Sequence, residues 1–143
     1  MIEKAIKIAA MAHTGQKDKA GEPYIFHPLR VMLMCSNDID RICGVLHDVI
    51  EDTAITLEYL QKEGFSQEVI TALEALTKQT DENYDDFIGR VLKNEIACHV
   101  KLADLADNMD LSRLQNPSEE DFRRVKKYQK AVERIHASLK NGA

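Results

Sequence analysis

Between positions 47 and 52 the chain reads His47-Asp48-Val49-Ile50-Glu51-Asp52, three carboxylates and an imidazole with no lysine or arginine among them. The apolar residues ahead of it, Ile39, Ile42, Val45 and Leu46, carry helical spacing. Continued at about 100° per residue, that helix gathers His47, Asp48, Glu51 and Asp52 within roughly 140° of one face. Ile42, Val45, Leu46, Val49 and Ile50 take the opposite, core-directed face. Like charges at i,i+4 repel, so Asp48 and Asp52 oppose each other unless a cation sits between them. Taken alone, such a stretch is more often an acidic solvated surface. Ligand-type residues on other helices shift that balance.

Two further places supply them. His27 precedes Pro28 where a loop enters a helix, a position that by itself suits a packed or capping histidine. In Lys101-Leu-Ala-Asp-Leu-Ala-Asp-Asn108, Asp104 and Asn108 share a face at i,i+4 and Asp107 lies beside them. His27, His47, Asp48 and Asp104 together make a mixed nitrogen and oxygen donor set from three helices. That set suits manganese or iron and accepts zinc, and a six-coordinate ion keeps about two positions for water and substrate.

The elements that must position these groups read as helices throughout. Residues 2–12 carry one apolar stripe, and residues 13–28, with Gly15, Gly21, Pro23 and Pro28, read as loop. A short helix is expected over Leu29–Cys35, entered through Pro28. Asp38 is expected to cap the helix that ends in the acidic cluster. Thr56 caps a short helix ending at Gly64, and Ser66 opens another to Leu76. A polar break at Lys78–Asn83 precedes a helix near Asp85–Lys93, and residues 95–109 form the next. Ser118 and Asp121 resemble a capping box opening a last helix to about Lys140. No strand-like alternation, glycine-rich phosphate loop or repeat is found, so the expected fold is all-α.

The 143 residues are expected to form one domain, 1–143. Hydrophobic residues make up 44% and charged residues 30%, as in ordinary globular chains. With 24 acidic against 19 basic residues, the net charge of −5 argues against broad nucleic-acid or anionic-membrane binding. Cys35, Cys43 and Cys98 lie far apart in apolar surroundings and suit reduced core thiols. Met1-Ile-Glu-Lys shows no signal-peptide core and no apolar run approaches spanning length, so a cytoplasmic protein is expected.

The order His27…His47-Asp48…Asp104 resembles the H…HD…D pattern of the HD-domain metal-dependent phosphohydrolases. Ala12–Gln16 (AHTGQ), Gly21–Pro28 (GEPYIFHP), His47–Thr53 (HDVIEDT), Leu76–Lys78 (LTK) and Lys101–Asp104 (KLAD) with Asn108-Met109 resemble one branch more closely. That branch comprises the hydrolase domain of RelA/SpoT proteins and the stand-alone small alarmone hydrolases. The likeness runs from about residue 10 to 110, and Arg124–Tyr128 extends it.

The resemblance implies an HD-type helical bundle that removes the 3′-pyrophosphate of guanosine 3′,5′-bis(diphosphate) or its pentaphosphate, usually with manganese. By motif matching, His27, His47, Asp48 and Asp104 are the implied metal ligands. Glu51 and Asp52 are the implied acidic pair serving the attacking water, and Asn108 helps hold water or substrate. Tyr128 matches a tyrosine lining the nucleotide pocket, although a core-packing role fits it equally. Lys17, Lys19, Lys78 and Lys101 are candidates to offset the polyphosphate charge.

Two departures stand out. Where the family commonly carries a guanine-contacting arginine this chain has Asp18, and Leu105-Ala106-Asp107 replaces the usual Arg-Leu-His of KLADRLHNM. The hydrolytic residues are kept while guanine recognition is in question, and no synthetase activity is expected of a chain this short. The other readings are an HD phosphohydrolase acting on a different nucleotide or phosphorylated cofactor, and a non-catalytic nucleotide-binding module.

Overall fold

A computed structural model describes residues 1–141, and the described residues contain nine helices and no β-strand. These are α1 (Ile2–Ala12), α2 (Phe26–Met34), α3 (Asp38–Leu46), α4 (Val49–Asp52), α5 (Leu57–Lys62), α6 (Gln67–Leu76), α7 (Tyr84–Val91), α8 (Glu95–Met109) and α9 (Glu119–Asn141). The all-α expectation holds. None of these helices is long and apolar enough to cross a membrane.

Helix α3 is the hub, packing against α1, α2, α6 and α8. Its Cys43, Val45 and Leu46 are wholly buried, and they meet Val31 of α2, Ala5 and Ala9 of α1, and Val100 and Leu105 of α8 in one apolar core. All three cysteines are buried free thiols. Burial pushes Cys43 up to about 12 and Cys35 up to about 11, so both stay protonated and inert.

Most helix starts follow the sequence signals. The Thr56 and Ser66 side chains accept the Tyr59 and Val69 N–H groups. Ser118 and Asp121 form the reciprocal box, the Asp121 N–H donating to Ser118 Oγ at 3.2 Å and the Ser118 N–H to Asp121 Oδ2 at 2.8 Å. Three expectations need correction. Helix α2 runs from Phe26 to Met34, so His27 and Pro28 belong to it and not to the loop ahead of it. Asn37, not Asp38, caps α3: its Oδ1 accepts the Asp40 N–H at 2.9 Å while Asp38 is already the first helical residue. The acidic stretch is also not one continuous helix face, because α3 stops at Leu46 and α4 begins at Val49. The His47 ring lies close to the end of α3, where its Nδ1–H donates to the Gly44 carbonyl at 2.6 Å.

At Gly44, helix α3 runs close against the backbone of α2. A Cβ there would stand 3.2 Å from Met32 Cα and 3.3 Å from Met32 N, both backbone atoms that cannot rotate away. Gly44→Val should therefore force the two helices apart and destabilise the fold by about 1–3 kcal/mol. Thermal unfolding followed by circular dichroism should show Tm lower by roughly 3–10 °C. An unchanged Tm would contradict this packing.

Candidate metal centre

Three helices deliver the polar groups that the apolar core surrounds. His27 sits in the first turn of α2, His47 follows α3, and Asp104 and Asp107 lie on α8; these four are 3–6% exposed. A buried carboxylate costs several kcal/mol, on the order of its effective desolvation penalty, unless charges and donors surround it. Asp104 has four such partners. Its Oδ1 faces His27 Nε2 at 2.9 Å, His47 Nε2 at 3.2 Å and the Asn108 amide at 3.0 Å, and Lys101 Nζ donates to its Oδ2 at 2.8 Å. Asp48 borders the group, its Oδ2 lying 3.0 Å from His47 Nε2 and 3.6 Å from His27 Nε2. That oxygen also accepts the Tyr24 hydroxyl at 2.5 Å.

His27, His47 and Asp104 each offer a ligand atom, all within 4.8 Å of one another. Neighbouring donors on an octahedral ion with bonds of about 2.1 Å stand about 3.0 Å apart, close to the separations found here. Both rings are held for such a role. His47 Nδ1 is engaged by the Gly44 carbonyl and His27 Nδ1 by Asp107 Oδ2 at 2.6 Å, which turns each Nε2 towards the shared centre. The donor set fits a divalent ion.

Without an ion, mutual charge holds the cluster together. Burial disfavours the His47 imidazolium, but Asp48 and Asp104 outweigh it and hold this ring well above its usual 6.5. Burial likewise lowers His27, and hydrogen bonds to Asp104 and Asp107 bring it net upward. Burial pushes the Asp104 carboxyl up, yet Lys101 and His47 hold it well below the usual carboxylate range. Asp48 is lowered chiefly by His47, again against burial.

The expected catalytic pair lies at the edge. Glu51 is exposed, and its Oε1 accepts the Lys78 backbone N–H at 2.9 Å. Asp52 is exposed too; its carboxyl is pushed up by burial and by the charges of Asp48 and Glu51, and its carbonyl accepts the Gln16 amide at 3.2 Å. Among the described residues, neither carboxylate is hydrogen-bonded to the His–Asp cluster.

Beside His27 opens a cleft of about 330 Å³. Lys17, Lys19, Asn108 and Tyr128 line it, together with Arg30, Arg113 and Arg124. Lys78 is not among its lining residues, and Lys101 is turned inward onto Asp104. Asp18 also borders the cleft, but its Oδ1 is occupied by the Ala20 and Glu22 N–H groups, each at 2.9 Å. The roles of Tyr24, Arg30, Asp107 and Arg113 in building this region were not read from the sequence. The i,i+3 step from Asp104 to Asp107 was the available signal.

An all-α bundle with two imidazoles and a buried carboxylate in the order His27…His47-Asp48…Asp104 defines an HD-type domain. Comparison with known proteins narrows this. No family model matches the chain. A guanosine-3′,5′-bis(diphosphate) 3′-pyrophosphohydrolase of Borreliella burgdorferi is 42% identical over 84 residues, covering 56% of this chain and 12% of that protein. One of the same name from Aquifex aeolicus is 36% identical over 120 residues, 76% of this chain and 17% of that protein. A GTP pyrophosphokinase of Myxococcus xanthus is 34% identical over 143 residues, 87% of this chain and 18% of that protein. The solved structure of a metazoan ortholog of SpoT that hydrolyses ppGpp superposes with a TM-score of 0.76 at 23% identity, over 94% of this chain and 84% of that one. The chain belongs to the RelA/SpoT-type HD domains. It spans less than a fifth of the length of the curated relatives named here.

The charged cluster predicts a pH dependence. A histidine raised in the folded state stabilises the fold fully below 6.5, and this contribution is lost as pH rises through the elevated value. The lowered Asp48 and Asp104 act in the acid range, below about 4, and are constant in this window. The EDTA-treated protein should thus lose Tm as pH climbs above 6.5, and saturating Mn²⁺ should remove or reverse the trend. A Tm that rises with pH in EDTA would contradict the assignment.

Proposed function

We propose that the chain is a metal-dependent phosphohydrolase that removes pyrophosphate from the 3′ position of guanosine 3′,5′-bis(diphosphate) or its pentaphosphate, with Mn²⁺ as resident ion and Fe²⁺ or Zn²⁺ as substitutes. The observation that carries the reading is the convergence of His27 Nε2, His47 Nε2 and Asp104 Oδ1 in a buried pocket beside a cleft whose lining includes five basic and four acidic side chains. The similarity to two proteins named as 3′-pyrophosphohydrolases supports this substrate class.

In this reading His27, His47, Asp48 and Asp104 hold the ion. When bound, the ion supplies Lewis acidity and brings the pKa of water towards neutrality. Glu51, on the short helix α4 that follows His47, orients the attacking water or accepts its proton, with Asp52 beside it. The Lys78 amide that bonds Glu51 Oε1 fixes that carboxylate from the solvent side. Asn108 is tied to Asp104 and also borders the cleft, so it holds water or substrate next to the centre. Lys17 and Lys19 offset polyphosphate charge, and Tyr128 lies along the nucleotide. Lys78 keeps its proposed role as a cation only if substrate extends past Glu51. The whole chain acts as one unit, and its three buried thiols suit a reducing, cytoplasmic setting.

A second reading keeps the centre and changes the substrate to another phosphorylated nucleotide. The engagement of Asp18 with the Ala20 and Glu22 amides favours it, because the cleft then lacks a side chain the family uses on guanine.

Asp48→Ala should abolish Mn²⁺-dependent turnover while the protein stays folded. Glu51→Gln should keep the metal and lose turnover by roughly 10²–10⁴-fold, the usual contribution of a positioned acid or base. Product analysis over a nucleotide panel with Mn²⁺ decides the substrate. Pyrophosphate released from the guanosine tetra- and pentaphosphates alone supports the first reading, and orthophosphate from monophosphates supports the second. Full activity of either variant would overturn the assigned roles.

A further inference from the structure

Asp107 meets the cluster from behind, where it engages the outer nitrogen of the His27 ring. It is 6% exposed, and its Oδ2 stands 2.6 Å from His27 Nδ1. A carboxylate only accepts, so Nδ1 must carry the hydrogen and the neutral ring is left with its lone pair on Nε2. That nitrogen faces Asp104 Oδ1 at 2.9 Å. The carboxylate is itself fixed: Arg30 donates through Nε at 2.7 Å to Oδ1 and through Nη2 at 3.1 Å to Oδ2. Arg113 Nη2 reaches the Asp107 carbonyl at 3.2 Å and its Oδ1 at 3.4 Å.

The two imidazoles are consequently not equivalent. His47 leans on a neutral carbonyl, whereas His27 leans on a full negative charge clamped by two guanidinium groups. An anionic partner makes the opposite ring nitrogen a stronger donor than a neutral one does. This is also a position where the chain departs from the pattern it resembles, which has histidine there and could not supply the same charge. We propose that Asp107 is a positioning residue: it sets the tautomer and orientation of His27 and strengthens Nε2 as a ligand for a divalent ion, with Arg30 and Arg113 holding the carboxylate in line. This rests on the metal-centre reading above.

Mn²⁺ alone is the probe, with free ion counted by electron paramagnetic resonance on metal-free wild type, Asp107→Asn and Asp107→Ala, and Tm measured in EDTA. Asp107→Ala should weaken Mn²⁺ binding about 10–100-fold, the usual loss when such a supporting group is removed. Asp107→Asn keeps an acceptor without the charge and should fall between it and wild type. If Asp107→Ala fails to fold, Asp107→Asn decides the matter. Folded variants that bind Mn²⁺ as tightly as wild type, whatever their Tm, would overturn the proposal and leave Asp107 a purely structural clamp. A wild-type protein that binds no Mn²⁺ would instead overturn the reading on which this one stands.

Discussion

The structure depends on how the Asp104 carboxylate is accommodated where α2, α3 and α8 meet. An unpaired charge at that depth would cost more than most single apolar contacts return. The fold answers with an imidazole from α2, a second from the end of α3, and an ammonium and an amide from α8 itself. Each helix therefore has a polar reason, as well as an apolar one, for its position. The apolar reason is visible around it: Val31, Val45, Leu46, Val100 and Leu105 are wholly buried and fix how near the three backbones come. Gly44 permits the close approach of α3 to α2 and also supplies the carbonyl that orients His47, so packing and site geometry meet in one residue.

Much of the scaffold was legible because helix starts are local chemistry. Ser66, Thr56 and the Ser118–Asp121 box are read from side chains that reach amides three residues away. The same rule failed by one residue at α3. Both Asn37 and Asp38 can cap, and the choice was made by Asn37 bonding the Asp40 amide and also the Asp40 carboxylate. The break between α3 and α4 was illegible for a different reason. No glycine or proline marks it; it coincides with the His47 ring folding back on Gly44, and that orientation matches what the centre asks of its Nε2. A helical wheel drawn through positions 47–52 thus places Glu51 beside His47, while the folded chain leaves Glu51 exposed and bonded to the Lys78 amide.

The centre itself was half legible. Residue types and order pointed to His27, His47, Asp48 and Asp104, and three of these offer mutually close ligand atoms. The residues behind them were hidden because their relation is purely spatial. Arg30 and Asp107 are 77 positions apart and Tyr24 and Asp48 are 24 apart, distances over which no periodicity speaks. Lysines were the least legible. Four were plausible counter-charges, yet only Lys17 and Lys19 line the cleft, while Lys101 is consumed neutralising Asp104. A lysine's sequence neighbourhood says little about where a long, flexible stem will end.

The loop from Gln16 to Tyr24 shows how a change at the rim stays compatible with a preserved centre. Asp18 accepts the Ala20 and Glu22 amides, its own N–H donates to the Glu22 carbonyl at 2.9 Å, and Gly21 takes the positive φ that this tight reversal needs. Lys17 then pairs with Pro23 in an isolated bridge, and the Tyr24 N–H returns to the Gln16 carbonyl at 2.8 Å. The product of this folding is the position of the Tyr24 ring, 5.7 Å from His27 and with its hydroxyl on Asp48. A carboxylate at position 18 thus contributes to the centre through the backbone it staples. The same loop presents Lys17 and Lys19 to the cleft, so the segment that orients Asp48 also sets the electrostatics met by an incoming anion.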